Sequence, residues 1–123
     1  MAKIEVEVDK IKSLTVFSVT GDLKQGELLE KLEKYVQSPN CKYCIIDLSQ
    51  GSWINIPVDY FRRVLENREL FEHSEGKSAL VFGNDADFGI GRMIESMLSL
   101  NDYGREVGCF RSREKADKWI MQD

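Results

Sequence analysis

The chain has 123 residues and a formal net charge of −4, with 42% hydrophobic and 31% charged residues. This length fits one hydrophobic core, so we expect a single domain over residues 1–123, and the apolar content argues against a disordered chain. Acidic and basic residues are interleaved without a Lys or Arg cluster, which argues against nucleic acid as a partner. The apolar runs are far shorter than the about 20 residues that span a bilayer. Because the start carries no export signal, we expect a cytoplasmic protein.

The first half of the chain predicts two strands, a helix and a third strand. Residues 4–8 alternate apolar and acidic side chains, the two-residue period of a strand with one solvated face. Residues 14–20 form a second strand, rich in β-branched side chains, and the short polar link before it predicts an antiparallel hairpin. Apolar residues then recur with helical spacing over 28–36, until Pro39 stops the helix. The nearly continuous apolar run at 43–48 predicts a strand that is buried on both faces.

The second half of the chain alternates helices with strands. The predicted elements are a loop at 49–55, a helix at 57–72, a strand at 78–82, a helix capped by Asn84 or Asp85, a strand at 106–110 and a helix capped by Ser112. The order ββαβαβαβα predicts an α/β fold with a mixed, mostly parallel five-stranded sheet and about four helices. Its one antiparallel strand comes from the opening hairpin.

The cysteines and the histidine are the first residues to consider for chemistry. Cys41 and Cys44 form a C-x-x-C pair, but they open a predicted strand, where residues three apart point to opposite faces. With Cys109 the count is odd, so we expect reduced thiols that serve as small buried side chains, without a metal site. The sole histidine, His73, falls at a predicted helix end without a nucleophile or an orienting acid beside it. The sequence therefore predicts no catalytic residue and no cofactor.

Two segments are candidate binding sites, because each leaves the carboxyl end of a predicted parallel strand, where open α/β sheets bind ligands. The candidate residues are Trp53, Ile54, Asn55, Ile56, Phe88, Gly89 and Arg92. The apolar loop at 53–56 either folds onto the core or contacts a partner. Two glycines in the first turns of the helix that follows Asn84 cost up to about 1 kcal/mol each relative to alanine. Either a ligand approaching the helix start offsets that cost, with Arg92 facing an anion, or the helix packs closely on the sheet and Arg92 pairs with Glu95 or Asp87.

Several short stretches, together with the element order, resemble one family. They are Val19-Thr20-Gly21-Asp22-Leu23 leading to Glu27-Leu28-Leu29, Ile45-Ile46-Asp47-Leu48-Ser49, Phe88-Gly89 with Arg92-Met93, and Cys109-Phe110-Arg111. Through them the chain resembles the STAS domains, named for sulfate transporters and anti-sigma-factor antagonists. It is most similar to the SpoIIAA-like branch of small bacterial proteins, which share features with CRAL-TRIO lipid-binding domains. The resemblance implies a STAS-like α/β fold.

The regulatory switch of that family does not carry over to this chain. In anti-sigma-factor antagonists a phosphorylatable Ser or Thr begins the helix after the Asp-Leu-Ser strand. Ile56 and Pro57 occupy that place here, and neither side chain accepts a phosphoryl group. The resemblance therefore implies the scaffold without anti-sigma antagonism.

The first functional hypothesis is a non-catalytic binding or regulatory module that acts through protein–protein contacts, and therefore not an enzyme. We expect it to form a homodimer, because the apolar loop at 53–56 together with Tyr60 and Leu70 exceeds what the predicted helix stripes need to cover one sheet. A different protein partner fits the same loop.

Two alternatives remain open from the sequence. The chain is a carrier or sensor of a small apolar or lipid-like ligand if the helix face of Met93 and Met97 lines a pocket, although methionines at helical spacing are more often part of a core. The third hypothesis is an enzyme that uses Asp47, Asp85 or Asp87.

Overall fold

The computed structural model describes residues 2–35, 38–66, 76–100 and 105–122, apart from the side chains of residues 65, 99 and 100. The strands are β1 (Lys3–Asp9), β2 (Leu14–Asp22), β3 (Tyr43–Ser52), β4 (Gly76–Phe82) and β5 (Arg105–Phe110). The helices among these residues are α1 (Glu27–Tyr35), α2 (Val58–Glu66), α3 (Asp85–Leu100) and α4 (Arg113–Ile120), with a short 3-10 helix at Pro39–Cys41. The predicted α/β class and the order ββαβαβαβα are confirmed.

The strands lie side by side in chain order, β1-β2-β3-β4-β5. β1 runs antiparallel to β2, with Lys3 opposite Thr20 and Asp9 opposite Leu14, as the predicted opening hairpin requires. The other three neighbouring pairs are parallel. Because each parallel connection joins adjacent strands with the same hand, the three helices that make these connections fall on one face of the sheet.

Two hydrophobic cores result, one on each face of the sheet. On the first face α1, α2 and α3 cover sheet residues that include Phe17, Ile46 and Phe82. On the second face α4 buries Ala116 and Ile120 against the sheet. In β2, β3 and β4 the buried side chains alternate between the two cores, because successive side chains of a strand point to opposite faces. The first face, with three helices, is the one that contains the candidate site.

The third strand is longer than the sequence predicts. Pairing with β2 shifts register between Ser18 and Thr20 and then continues until Asp22 lies opposite Ser52. Residues 49–52, predicted as loop, therefore belong to the sheet. The chain leaves the sheet only at Trp53, which places this side chain beside the first core.

Candidate functional site

An apolar cavity of about 140 Å³ lies between the first face of the sheet and helices α1, α2 and α3. The apolar side chains around it are Leu28, Leu29, Leu32, Ile46, Trp53, Ile56, Phe61, Val64, Leu80, Ile94, Leu98 and Val107. Strands supply its floor and helices its walls, because both elements turn their apolar residues toward this layer. The cavity is therefore a gap within the first core.

The loop at 53–56 folds inward and closes one end of this cavity. Trp53 is 2% exposed and Ile56 5% exposed, and both line the cavity. The Trp53 ring packs edge-on against Phe61 with 5.0 Å between ring centroids, and it lies 5.1 Å from Phe82. Its indole Nε1 donates a hydrogen bond to the backbone oxygen of Asp87 at 3.2 Å. Trp53 is thus a fixed part of the cavity wall.

Asp87 holds this loop to the start of α3. Its side chain is completely buried, and its carboxylate accepts hydrogen bonds from Ser52 Oγ at 3.0 Å and from Asn84 Nδ2 at 2.8 Å. The backbone N–H of Asp87 donates to Asn84 Oδ1 at 2.9 Å, and Ser52 Oγ accepts from the backbone N–H of Ile54. Buried polar groups are stable when they are hydrogen-bonded in this way. The arrangement makes Asp87 a structural residue that positions the Trp53 loop.

Polar atoms gather at another part of the cavity wall, where Cys41, Cys44, Ser78 and Arg105 all line the space. Arg105 Nε donates to Ser78 Oγ at 2.5 Å, and Arg105 Nη2 donates to the Cys41 backbone oxygen at 2.6 Å. The same Nη2 lies 3.2 Å from the Lys42 carbonyl oxygen. The guanidinium therefore ties the first residue of β5 to β4 and to the turn that carries Cys41.

The two thiols of this region differ in acidity. A hydrogen bond from the Cys44 thiol, together with the positive charge of Arg105, outweighs burial and lowers the pKa of Cys41 to about 7. The same hydrogen bond, with complete burial, raises the pKa of Cys44 well above its ordinary value. Thr15 lies close to the Cys41 sulfur as well, but its hydroxyl donates to the Asn40 carbonyl oxygen at 3.0 Å. The pair thus joins one acidic thiol to one that stays protonated.

The prediction that Cys41 and Cys44 point to opposite faces is wrong. Ser38 caps a 3-10 helix with Pro39 in its first turn, so that Cys41 ends this turn and β3 begins only at Tyr43. The two-residue period of a strand does not extend across a helical turn, and both thiols face the first core. The expectation that both are small buried side chains is confirmed, and both are free thiols.

The remaining candidate residues lie apart from the cavity. Ile54 is 52% exposed and Asn55 is exposed, so the loop divides into two buried and two exposed positions. Phe88 packs edge-on against Phe82 at 6.0 Å, and Arg92 pairs with Glu95 at 3.3 Å. The ion pair is the predicted alternative to an anion site.

The two glycines of α3 have different surroundings. Gly89 has open space around the position of a Cβ atom. A Cβ atom on Gly91 would lie 2.5 Å from Cε2 of Phe82 and 3.2 Å from the Cys109 sulfur. Close packing of α3 on the sheet therefore explains Gly91, as one of the two sequence-based accounts proposes.

The methionines and aspartates considered from the sequence do not line the cavity. Met93 and Met97 pack against the first core, and their neighbours Ile94 and Leu98 face the cavity instead. Asp47 accepts from the backbone N–H of Ser49 and lies 3.6 Å from Arg113, while Asp85 pairs with Arg111. With Asp87 buried, these carboxylates do not converge on one site.

Sequence reasoning did not identify Leu28, Leu32 or Arg105 as site residues, and it assigned Tyr60, which lines the cavity, to a dimer surface. The helical period marks the first two as core-facing, but it does not distinguish a filled core from a gap. Leu70 and His73 lie outside the described residues. In the part of the chain that the structure describes, no group of three or more Cys, His, Asp or Glu side chains is arranged to hold a metal ion. Over the same residues, no helix combines the length and the apolar character that crossing a membrane requires.

No protein-family model matches the sequence, and no curated protein matches it. Among solved structures, the chain is similar to an uncharacterised protein of the DUF3478 family from Shewanella loihica PV-4, whose crystal structure has a SpoIIAA-like fold. The match covers 97% of this chain and 93% of that chain, with a TM-score of 0.57 and 13% sequence identity. At this identity the similarity concerns the fold, and it agrees with the resemblance found in the sequence. The chain therefore has a SpoIIAA-like fold.

Proposed function

We propose that this chain is a binding module whose ligand is a small, uncharged, apolar molecule held in the cavity. The observation that carries the proposal is the cavity itself, about 140 Å³ of space surrounded mainly by apolar side chains. An apolar cavity of about 150 Å³ in another protein binds benzene, so a single small ring or a short aliphatic chain has the appropriate size. The proposal takes the ligand-carrier alternative of the sequence analysis and replaces its methionine-lined pocket with this one.

The energetics of packing support an occupant. Protein interiors are normally close-packed, and apolar side chains that border unfilled space lose packing contacts at a cost in stability. A ligand that fills the space recovers part of this cost and removes its own apolar surface from water. The rigid wall around Trp53 means that little of the gain is lost to ordering the site.

The polar groups of the wall favour a ligand without formal charge. Arg105 is the one Lys, Arg, Asp or Glu among the described lining residues. It donates to Ser78 and to backbone oxygens of Cys41, Lys42 and Lys77. Burying a charged ligand group beside these bonds would carry a large desolvation cost. An uncharged apolar molecule avoids that cost.

Calorimetric titration of the full chain with toluene tests the proposal, with native mass spectrometry of freshly purified protein to detect a bound molecule. Leu32→Trp places a large ring in the space, whereas Glu33→Trp adds the same ring at an exposed position of the same helix. We expect saturable binding to the wild type and to Glu33→Trp, and affinity at least about tenfold lower for Leu32→Trp, equivalent to about 1.4 kcal/mol. Equal affinities for the two variants, or no saturable binding to the wild type, would refute the cavity as the site.

Contact with a second protein molecule is the other candidate function, and two exposed apolar side chains favour it. Ile54 is 52% and Val58 45% exposed, beside a loop whose other apolar members are buried. We propose that these two side chains contribute to a homodimer, in place of the buried Trp53. Sedimentation equilibrium at micromolar concentration should then give twice the chain mass for the wild type. The double variant Ile54→Asp and Val58→Asp should give a lower apparent mass, closer to that of one chain. Ile11→Asp, at a 97% exposed position, is the matched control, and a monomeric wild type would refute the dimer.

A further inference from the structure

Two thiols lie together on the wall of the apolar cavity. Cys41 ends the 3-10 helix and Cys44 is the second residue of β3, so the turn between them brings both side chains to the same face. The two thiols are near enough that each shifts the acidity of the other. They are only 1% and 3% exposed, and both line the cavity, which is therefore the route by which a small molecule reaches them.

The surroundings of this pair assign different roles to its two members. Cys41 receives the Cys44 hydrogen bond and the positive charge of Arg105, which hold its pKa at about 7, so that a large fraction is thiolate at neutral pH. The thiolate is the nucleophilic form of cysteine. Cys44 stays protonated while Cys41 is a thiolate, and it lies on the same wall of the cavity, from which it can complete a disulfide once its own proton is lost.

We propose that Cys41 and Cys44 form a redox-active dithiol that reduces apolar organic hydroperoxides entering the cavity, one molecule for each reduced pair. The inference rests on the proposed function, because the apolar cavity would concentrate this class of oxidant beside the thiols. Hydrogen peroxide has no apolar group to bury, so the site should distinguish between the two peroxides.

The reaction takes place in two steps. The Cys41 thiolate attacks the terminal oxygen of the hydroperoxide, so that an S–O bond forms, the O–O bond breaks, and the alkoxide leaves and takes up a proton to become the alcohol. Cys44 then attacks the sulfenic sulfur of Cys41 as its thiol proton passes to the departing hydroxide, so that an S–S bond forms, the S–O bond breaks and water leaves. Two thiols and one hydroperoxide thus give one disulfide, one alcohol and one water. A small dithiol reductant restores the pair.

The test treats the reduced full chain with tert-butyl hydroperoxide and, separately, with hydrogen peroxide at the same concentration. Free thiols, intact mass and the alcohol product are followed over time. We expect the loss of two of the three thiols and one alcohol for each chain. The rate with tert-butyl hydroperoxide should be at least about tenfold higher than with hydrogen peroxide, since burying a tert-butyl group stabilises by more than about 1.4 kcal/mol. This comparison requires no variant.

Three variants test the assigned roles. Cys109→Ser should react like the wild type, because burial and the nearby Glu95 raise the pKa of Cys109 to about 12. Cys41→Ser should produce no alcohol. Cys44→Ser should produce one alcohol and leave Cys41 as a sulfenic acid that dimedone traps. Equal rates with the two peroxides, or disulfide formation that survives Cys41→Ser, would overturn the inference.

Toluene binding to the wild type separates this inference from the proposed function. Saturable toluene binding, with no preference of the wild type for tert-butyl hydroperoxide over hydrogen peroxide, refutes the dithiol activity and leaves the binding module standing. Absence of toluene binding, together with equal peroxide rates, refutes both proposals.

Discussion

Gly89 and Gly91 lie two residues apart in α3, and alanine should have opposite effects on stability at the two positions. At Gly89 the added methyl meets nothing within 4 Å, so the gain in helix propensity should stabilise the fold by about 0.5 to 1 kcal/mol. At Gly91 the same methyl would lie 2.5 Å from the ring of Phe82, a completely buried side chain. Phe82 is itself held between Trp53 and Phe88, with ring centroids at 5.1 and 6.0 Å, so its ring has little room to move.

The net effect at Gly91 follows from two opposing contributions. Overpacking a dense core costs about 1 to 3 kcal/mol, and the propensity gain offsets up to about 1 kcal/mol of this. We expect Gly91→Ala to lower the free energy of unfolding by about 1 to 2 kcal/mol, with a fall in melting temperature on the order of 4 °C for each kcal/mol. Urea unfolding followed by circular dichroism measures both variants. Gly91→Ala as stable as Gly89→Ala would refute the packing argument.

Two further predictions concern buried polar groups. Asp87→Ala leaves the donors of Ser52 and Asn84 without their acceptor and should lower the free energy of unfolding by about 3 kcal/mol. Asp85→Ala removes an exposed ion pair with Arg111 and should change the free energy of unfolding by less than about 1 kcal/mol. Equal effects of the two changes in urea unfolding would contradict the structural role of Asp87. The pKa of Cys41 is about 7 in the folded chain and 9 for an ordinary cysteine, so the thiol takes up a proton on unfolding between these two pH values. The free energy of unfolding should therefore rise from pH 7 to pH 9, by about 2 kcal/mol more in the wild type than in Cys41→Ser. Parallel pH profiles of the two proteins would show that the Cys41 thiol is not acidic in the folded state.

The sequence predicted the elements well where one periodicity controls a whole segment. The alternation at the start gave β1, and the apolar run at 43–48 gave the core of β3, because strand periodicity follows directly from burial on one or both faces. The end of β3 was missed, since residues 49–52 are mostly exposed or half-buried and join the sheet only through pairing with β2. Pairing of this kind depends on the partner strand and not on local pattern.

The candidate site was harder to predict than the fold. Trp53 and Ile56 were identified because apolar residues in a loop are unusual, but their inward orientation depends on the buried hydrogen bonds of Asp87, more than thirty positions along the chain. The shared face of Cys41 and Cys44 depends on a single 3-10 turn. Gaps in packing arise from the fit between elements, which a sequence pattern does not encode.

Residues that line the cavity lie near both ends of β3, and the sheet limits how these residues can change among related chains. Cys44 lies near its beginning and Trp53 directly follows its last residue, about 30 Å farther along at about 3.3 Å per residue. A shift of one residue in this strand would turn every floor residue to the opposite core, so the floor is constrained by the sheet register. Leu28 and Leu32 on α1 carry no such constraint, and exchanging them alters the shape of the space without disturbing the sheet. Selection for a new ligand should therefore act first on the helices.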